Sequence, residues 1–195
     1  MNTIKKFFQV FGLLVFLSVF IYLLLPSPSE PPPLPQSRRS TEPGDMGQIP
    51  GLFAAYYTNL SRSEVLNYYQ NYFIRSSLLD IPFITYRLNH PPEYTWQVLR
   101  ETEHSSFLEE LVHPFRESWF INGYEPLKDP FAKEGQELAN FKFDGQEYSL
   151  KVQVLQKDSS VFIRLVIFIL SVFCLIWLGR QVRQIYNRWQ NTVDF

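Results

Sequence analysis

The fold class is indicated most directly by residues 52–73, which read LFAAYYTNLSRSEVLNYYQNYF. The first seven residues are largely aromatic and apolar and predict a strand. Ser61 and Glu64 then form a capping box, with Leu60 and Val65 spaced as a hydrophobic staple, so a helix should begin here. A strand followed by a capped helix favours an α+β domain. The predicted buried stripe of the helix is Val65, Leu66, Tyr69, Tyr72 and Phe73, and its exposed face is Arg62, Asn67, Gln70 and Asn71.

Further elements are predicted on the C-terminal side of this stretch. Residues 83–88 resemble a second strand, and Pro91-Pro92-Glu93 opens a second helix, where proline in the first turn is harmless. Asp144-Gly145 is typical of a type I′ hairpin turn. We therefore expect residues 51–158 to form a small α+β domain of two to three helices with a mixed or antiparallel sheet. The second helix would carry Trp96 and Leu99, and the hairpin would place Tyr148, Leu150, Val152 and Val154 on one face.

The stretch 105–123 is compatible with two structures. Apolar residues recur at helical spacing before Pro114, and Ser106 and Glu109 have the spacing of a cap. After Pro114 the apolar residues alternate as in a strand that ends at Asn122-Gly123. We expect a short helix before the proline and a strand after it.

Composition excludes several classes of protein. The 195 residues are 46% hydrophobic and 17% aromatic, which is too apolar for a disordered chain. Cys174 is the only cysteine, so the chain is not a disulfide scaffold. The net charge of −1 gives no basic excess, and we expect no nucleic-acid partner. A small membrane protein with the lipid bilayer as a partner is the class that remains.

The first predicted transmembrane helix covers residues 7–25. At about 1.5 Å per residue it would cross roughly 28 Å, close to the thickness of a bilayer core. Lys5 and Lys6 precede it, and Pro26 follows it. A cleaved signal peptide is the alternative, but its apolar core would normally be shorter and followed by an Ala-x-Ala site. We expect an uncleaved anchor.

The second predicted transmembrane helix covers residues 161–179. Arg164 lies one turn from its start, from where its side chain can reach the membrane interface. Residues 180–195 follow as an amphipathic tail, expected to lie in the headgroup region, with docking on a cytoplasmic partner as the alternative. The apolar side of this tail comprises Val182, Ile185, Tyr186 and Trp189.

Charge predicts the topology. Residues 1–25 and 161–195 together carry six basic side chains and one acidic side chain, a net charge of +5. Residues 26–160 carry 12 basic and 18 acidic side chains, a net charge of −6. Because basic residues remain on the cytoplasmic side, residues 1–6 and 180–195 should be cytoplasmic and the middle segment extracytoplasmic. The chain should thus cross the plasma (cytoplasmic) membrane twice, and the lack of domain cysteines favours a bacterial envelope.

Residues 26–50 contain eight prolines and predict a spacer. Successive prolines favour polyproline II, which extends by about 3.1 Å per residue. Such a linker could hold the domain away from the bilayer. Recognition of this segment by an aromatic groove is the alternative.

Metal ligands of suitable type occur in one short segment. His104, Glu110 and His113 offer imidazole and carboxylate groups, and Glu110 and His113 would face one way on a helix. A charged surface paired with Arg100 and Arg116 is the simpler interpretation. The sequence contains no nucleophile elbow, phosphate loop or zinc-protease motif, and no cofactor is expected.

A second candidate site is a partner-binding surface formed by Val112, Phe115, Arg116 and Trp119. Large apolar groups surrounded by charges resemble an anchor with a polar rim, although in a small domain such aromatics usually build the core. We expect a non-enzymatic interaction or structural module that belongs to a membrane-associated assembly with an unidentified protein partner. The alternative is an envelope hydrolase or metal-dependent enzyme that uses His104, Glu110 and His113.

Overall fold

The computed structural model describes residues 2–27, 32–42, 45, 52–75, 82–99, 105–129, 132 and 138–193. The fold is α+β, as expected. The chain divides into a unit of two terminal helices and a unit that extends from Ser27 to Asp158.

The terminal helices are α1, Asn2–Leu24, and α4, Val161–Val193. Both are long and apolar enough to cross a membrane, and 6% of the residues in the most apolar stretch of each are buried. Where the two helices meet, the Phe16 and Phe168 rings lie 5.1 Å apart. The buried Arg164 donates hydrogen bonds to the Leu25 carbonyl (3.3 Å) and the Ser159 hydroxyl (3.0 Å). The C-terminal end of α1 is therefore held beside the N-terminal end of α4.

The predicted second transmembrane helix and the predicted tail are parts of one helix, and the membrane boundary between them at residues 179–180 stays a prediction. Helix α4 continues through Gly179 and Arg180 without interruption. At 1.5 Å per residue, a helix of 33 residues is about 50 Å long, so it exceeds a bilayer core by about 20 Å. Along residues 180–193, the predicted amphipathic tail is thus the last part of α4, and its location at the headgroups stays a prediction.

In the described part of the Ser27–Asp158 unit, six strands form one antiparallel sheet in the order β1-β2-β8-β5-β4-β3. Antiparallel pairing agrees with the expectation from the sequence. These strands are β1 Ser37–Arg39, β2 Leu52–Thr58, β3 Tyr86–His90, β4 Phe107–His113, β5 Glu117–Tyr124 and β8 Leu150–Asp158. Strand β3 forms one edge of the sheet, and the short β1 forms the other.

Helix α2, Arg62–Ile74, covers one face of the sheet, here called the α2 face. Its capping box is confirmed, because the Ser61 hydroxyl accepts from the Glu64 amide and the Glu64 carboxylate accepts from the Ser61 amide. The predicted stripe is confirmed as well, with Tyr72 partly rather than fully buried. The core between helix and sheet includes Val65, Leu66, Tyr69, Phe73, Phe107, Leu111, Trp119, Ile121, Val152 and Val154.

A shorter helix covers part of the opposite face, here called the α3 face. A 3₁₀ turn at Pro92–Tyr94 leads into α3, Thr95–Leu99. The second helix carries Trp96 and Leu99, as predicted. Leu99 packs against Leu155 and Phe120, whereas Trp96 is exposed. Strand β3 begins three residues later than predicted, because Phe83 packs edge-on against His113 at a ring distance of 5.4 Å instead of joining the ladder.

The expectation of a helix before Pro114 is wrong. Residues 105–123 contain two strands joined by the turn 114–116, with Leu111 opposite Trp119 and His113 opposite Glu117. Strand β4 lies between β3 and β5 in the sheet, and Phe107, Leu108 and Leu111 are buried on its two faces. Burial on both faces removes the alternation that would identify a strand.

The sequence predicted that the strand would end at Asn122-Gly123, but Gly123 lies within β5. It lies opposite Phe107, and a Cβ at this position would approach the Phe107 ring to 2.1 Å. The glycine therefore makes room for the aromatic ring on the neighbouring strand, and β5 continues to Tyr124.

The proline-rich segment is not a free spacer along the part that the structure describes. Strand β1 pairs with β2, and Leu34 is buried in the core beneath α2. The Tyr68 hydroxyl lies within hydrogen-bond distance of the carbonyls of Pro32 (3.1 Å) and Pro33 (3.0 Å). Residues 32–42 thus belong to the folded domain, because one leucine and one three-residue strand fix them to it.

The predicted Asp144-Gly145 hairpin is confirmed. It joins β6, Phe141–Phe143, to β7, Gln146–Tyr148, and both turn residues have positive φ, as a type I′ turn requires. Tyr148 does not share a face with Val152, because the chain breaks from β7 into β8 at Ser149, where the Asn59 side chain accepts from the Ser149 amide. Tyr148 contacts the ring of Tyr57 instead.

Candidate functional site

The predicted metal ligands are not brought together. Glu110 and His113 lie three residues apart on β4, so they point to opposite faces of the sheet. On the α3 face, a Glu110 carboxylate oxygen lies 2.8 Å from His90 Nε2, within hydrogen-bond distance. His113 lies on the other face, beneath α2. His104 lies outside the described residues, among which no group of three His, Cys, Asp or Glu side chains could hold a metal.

His113 instead belongs to a buried polar cluster with Glu117 and Arg116. Its Nδ1 lies 2.6 Å from a Glu117 carboxylate oxygen, and its Nε2 lies 3.1 Å from the Thr85 hydroxyl. The second Glu117 oxygen is 3.3 Å from Arg116 Nε, and all three ionisable side chains are almost fully buried. The Phe73 ring stacks on the His113 ring at 3.9 Å. A carboxylate held between an imidazole and a guanidinium is a compensated ion cluster, which fixes the end of the β4–β5 hairpin.

The predicted partner-binding surface is not one exposed patch. Trp119 is 0% exposed and packs against Tyr72 and Phe73, and Arg116 is buried beside Glu117. Val112 is partly exposed on the α3 face. Phe115 is 84% exposed at the tip of the hairpin. The predicted surface combined core and surface residues because Phe115 lies in the exposed turn, whereas Trp119 lies on β5, where alternate side chains point into the core.

Phe115 has an uncommon backbone conformation. Its φ is +63°, and the Arg116 amide donates to the His113 carbonyl across the turn (3.1 Å). Pro114 followed by a residue with positive φ is the pattern of a type II turn, in which the second central position favours glycine or asparagine. A bulky residue here is locally unfavourable, so the turn chemistry alone does not explain why phenylalanine occupies it.

The outer strand β3 carries an exposed apolar surface that sequence analysis did not identify. On its α3 face, Tyr86 is 56% exposed and Leu88 is 46% exposed, and Val112 lies directly opposite Tyr86 on β4. We call Tyr86, Leu88 and Val112 the edge surface. No strand among the described residues pairs with the outer side of β3. The signal was present as alternation within residues 83–88, but the sequence did not show that this strand is an edge.

On the other face of the same edge, the charges are compensated. Glu109 is buried and pairs with Arg62 and with Arg87, whose Nε lies 2.9 Å away. Burial opposes ionisation of Glu109, but hydrogen bonds from Arg87 and Arg62 outweigh it and hold the pKa of the carboxyl below its ordinary value. Arg62, predicted to be exposed, also covers the Phe107 ring at 4.9 Å. On the α2 face of the edge, the buried Glu109 carboxylate is therefore paired within the domain.

A cleft of about 810 Å³ lies beside this cluster, near the start of α2. Its wall includes Arg62 and Arg87, which share Glu109, and Lys128, which pairs with Glu125. Each of these cations already has an internal partner. Among the described residues, the cleft therefore presents no uncompensated cluster of cations that selects a ligand.

A second buried network lies on the α3 face, near the opposite edge strand. Lys151 is 2.8 Å from Asp45 and 2.7 Å from Glu42, and Gln153 donates to Asp45 (3.0 Å). Burial opposes ionisation of both Asp45 and Lys151, but their hydrogen bonds outweigh it, lowering the pKa of Asp45 and raising that of Lys151. Asn122 extends the network to Gln153 (3.0 Å). Every member is partnered, which is typical of a structural network.

The C-terminal residues predicted to contact the membrane surface lie in the last turns of α4. They are all more than half exposed: Val182, Ile185, Tyr186 and Trp189. Exposure of these four side chains is compatible with contact to lipid or to another protein.

Comparison with known protein families, with curated proteins and with solved structures gives no match. The function must therefore be argued from the geometry described above.

Proposed function

We propose that the protein is a membrane-anchored interaction module, which holds an α+β domain at the extracytoplasmic surface of a bilayer and binds another polypeptide chain along β3. The observation that carries this proposal is the edge surface. It places the exposed Tyr86 and Leu88 on β3, and no described strand pairs with the outer side of β3.

An apolar edge strand is a liability unless something covers it. Soluble domains usually protect such edges with lysine, proline or inward-pointing charges. On the α3 face, the β3 residues are Tyr86, Leu88 and His90, and His90 is already paired with Glu110. A partner that adds a strand would form hydrogen bonds with the outer backbone groups of β3 and would bury the side chains of Tyr86 and Leu88.

The membrane placement is supported by charge and by the helix ends. Arg164 links the end of α1 to the beginning of α4, which favours an antiparallel hairpin with both chain termini on one side. The net charge of +5 on the terminal segments and −6 on the middle favours that side as cytoplasmic.

The binding proposal can be tested by recovering partners of the intact protein in mild detergent. Leu88→Lys places a charge on the edge surface, and Asn71→Lys places the same charge on the exposed side of α2. We expect Leu88→Lys to lose the polypeptide that co-purifies with the wild type, and Asn71→Lys to retain it. Equal recovery by two variants that melt like the wild type would contradict binding at β3.

A further inference from the structure

The end of the sheet that carries Phe115 is also the end at which the chain enters and leaves the domain. Glu117 follows the Phe115 turn and pairs with Asp158, the last residue of β8. The Ser27 hydroxyl, at the beginning of the domain, donates to the same Asp158 carboxylate (3.3 Å). Both chain ends of the domain therefore lie beside the base of the β4–β5 hairpin.

The connections to the apolar helices are short. Two residues separate Leu24, the end of α1, from Ser27, and two separate Asp158 from Val161, the beginning of α4. A fully extended chain gains about 3.5 Å per residue, so each connection spans at most about 11 Å. The folding of residues 32–42 into the domain removes the longer reach that the prolines suggested.

Phe115 combines two features that point to a ligand. Among the described residues it is the most exposed large apolar side chain, at 84%. It also occupies a positive-φ position that glycine would adopt without strain. A phenyl group presented on a tight turn, close to the point where the chain enters a membrane span, has the chemistry of an interfacial anchor.

We propose that Phe115 inserts into the boundary between the headgroups and acyl chains of the bilayer that α1 and α4 cross. Ile84 provides a second contact at the same end and is 73% exposed. It is adjacent to Thr85, whose hydroxyl is hydrogen-bonded to His113. The occupant is the lipid itself, because the short connections keep this end near the membrane surface. The inference rests on the membrane placement in the proposed function, and it adds an orientation: the Phe115 turn faces lipid and the Asp144-Gly145 turn faces away.

Photo-crosslinking of the full chain in phosphatidylcholine vesicles tests this orientation. The photoreactive analogue benzoylphenylalanine replaces Phe115 in one variant and Asp144 in a matched variant. Both positions are on hairpin turns with positive φ, and both are largely exposed: the Phe115 residue to 84% and the Asp144 side chain to 84%. A third variant carries the analogue at Phe173 in α4, where it reports membrane insertion independently of the domain.

We expect lipid adducts from positions 115 and 173, and none above the unirradiated background from position 144. Adducts from 173 without adducts from 115 would overturn the Phe115 anchor and leave the membrane placement intact. Absence of adducts from both would overturn the membrane placement itself. If the analogue at 115 lowers the melting temperature of the domain, the same analogue at Ile84 replaces it, and a folded position-84 variant without lipid adducts would contradict the proposal.

Discussion

Trp119 and Tyr72 stack beneath helix α2, with ring centroids 5.9 Å apart and planes inclined by 20°. Phe73 contacts the same indole at 4.8 Å. This relationship assigns Trp119 to the core and separates it from Phe115, four residues earlier, which is exposed. The two aromatic residues therefore have different roles.

Removal of the indole should destabilise the domain strongly. Trp119→Ala should lower the free energy of unfolding by about 3–5 kcal/mol, the usual cost of a large aromatic truncation in a core. Asn67→Ala, on the exposed side of α2, should change it by less than about 0.5 kcal/mol. Chemical denaturation of the full chain in detergent measures both, and similar effects at the two positions would contradict the packing described here.

The buried Glu117 should be required for folding rather than for binding. Glu117→Leu removes the buried carboxylate that lies between the His113 ring and the Arg116 guanidinium, which should cost about 3–5 kcal/mol. Glu117→Gln keeps hydrogen-bonding atoms and should cost less. The exposed Glu93 provides the control, since Glu93→Gln should leave the melting temperature unchanged. A stable Glu117→Leu variant would show that the cluster does not hold the hairpin.

Acid should remove the contribution of Asp45. Because the pKa of Asp45 is lowered in the folded protein, its ion pair stabilises the domain above the ordinary pKa of 3.8, and this stabilisation is lost as the pH falls through the folded value. Asp45→Asn should therefore cost about 1.5–3 kcal/mol near pH 7, and this cost should decrease as the pH is lowered towards 2. Denaturation curves of both proteins across that pH range test the sign, and a difference that does not change with pH would contradict it.

The proposed topology makes a separate prediction. Reporters fused after Gln48 and after Ser159 should be active outside the cytoplasm, and one fused after Phe195 should report the cytoplasm. Neutralising Arg180, Arg183 and Arg188 should weaken the cytoplasmic retention of the C-terminal end. A cytoplasmic signal after Ser159 would contradict the two-span arrangement.

Local signals made part of the fold predictable. The capping box at Ser61 and Glu64 involves residues three apart, and the type I′ turn at Asp144-Gly145 requires only a backbone preference. The predicted boundaries of strand β2, residues 52–58, are confirmed for the same reason. The aromatic and apolar residues of the strand and the helix cap that follows them are close together in the sequence.

The remaining features depend on contacts between distant parts of the chain. Glu109 and His113 are buried polar residues on the interior strand β4. Glu109 pairs with Arg62, 47 residues away, and Arg87, 22 residues away. His113 lies beside the Thr85 hydroxyl, 28 residues away. Sequence spacing therefore could not distinguish them from surface charges or metal ligands. The exposed edge was missed for a related reason, since a strand is an edge only by its place in the sheet.

The proposal that another chain covers β3 is tested most directly by hydrogen–deuterium exchange. The amides of Tyr86–His90 are compared between native membranes and the purified monomer in detergent, with the exposed Asp144-Gly145 turn as the internal control. We expect slower exchange of the β3 amides in membranes and equal exchange of the turn in both samples. Equal exchange of β3 in the two samples would show that nothing covers this edge, and would contradict the account.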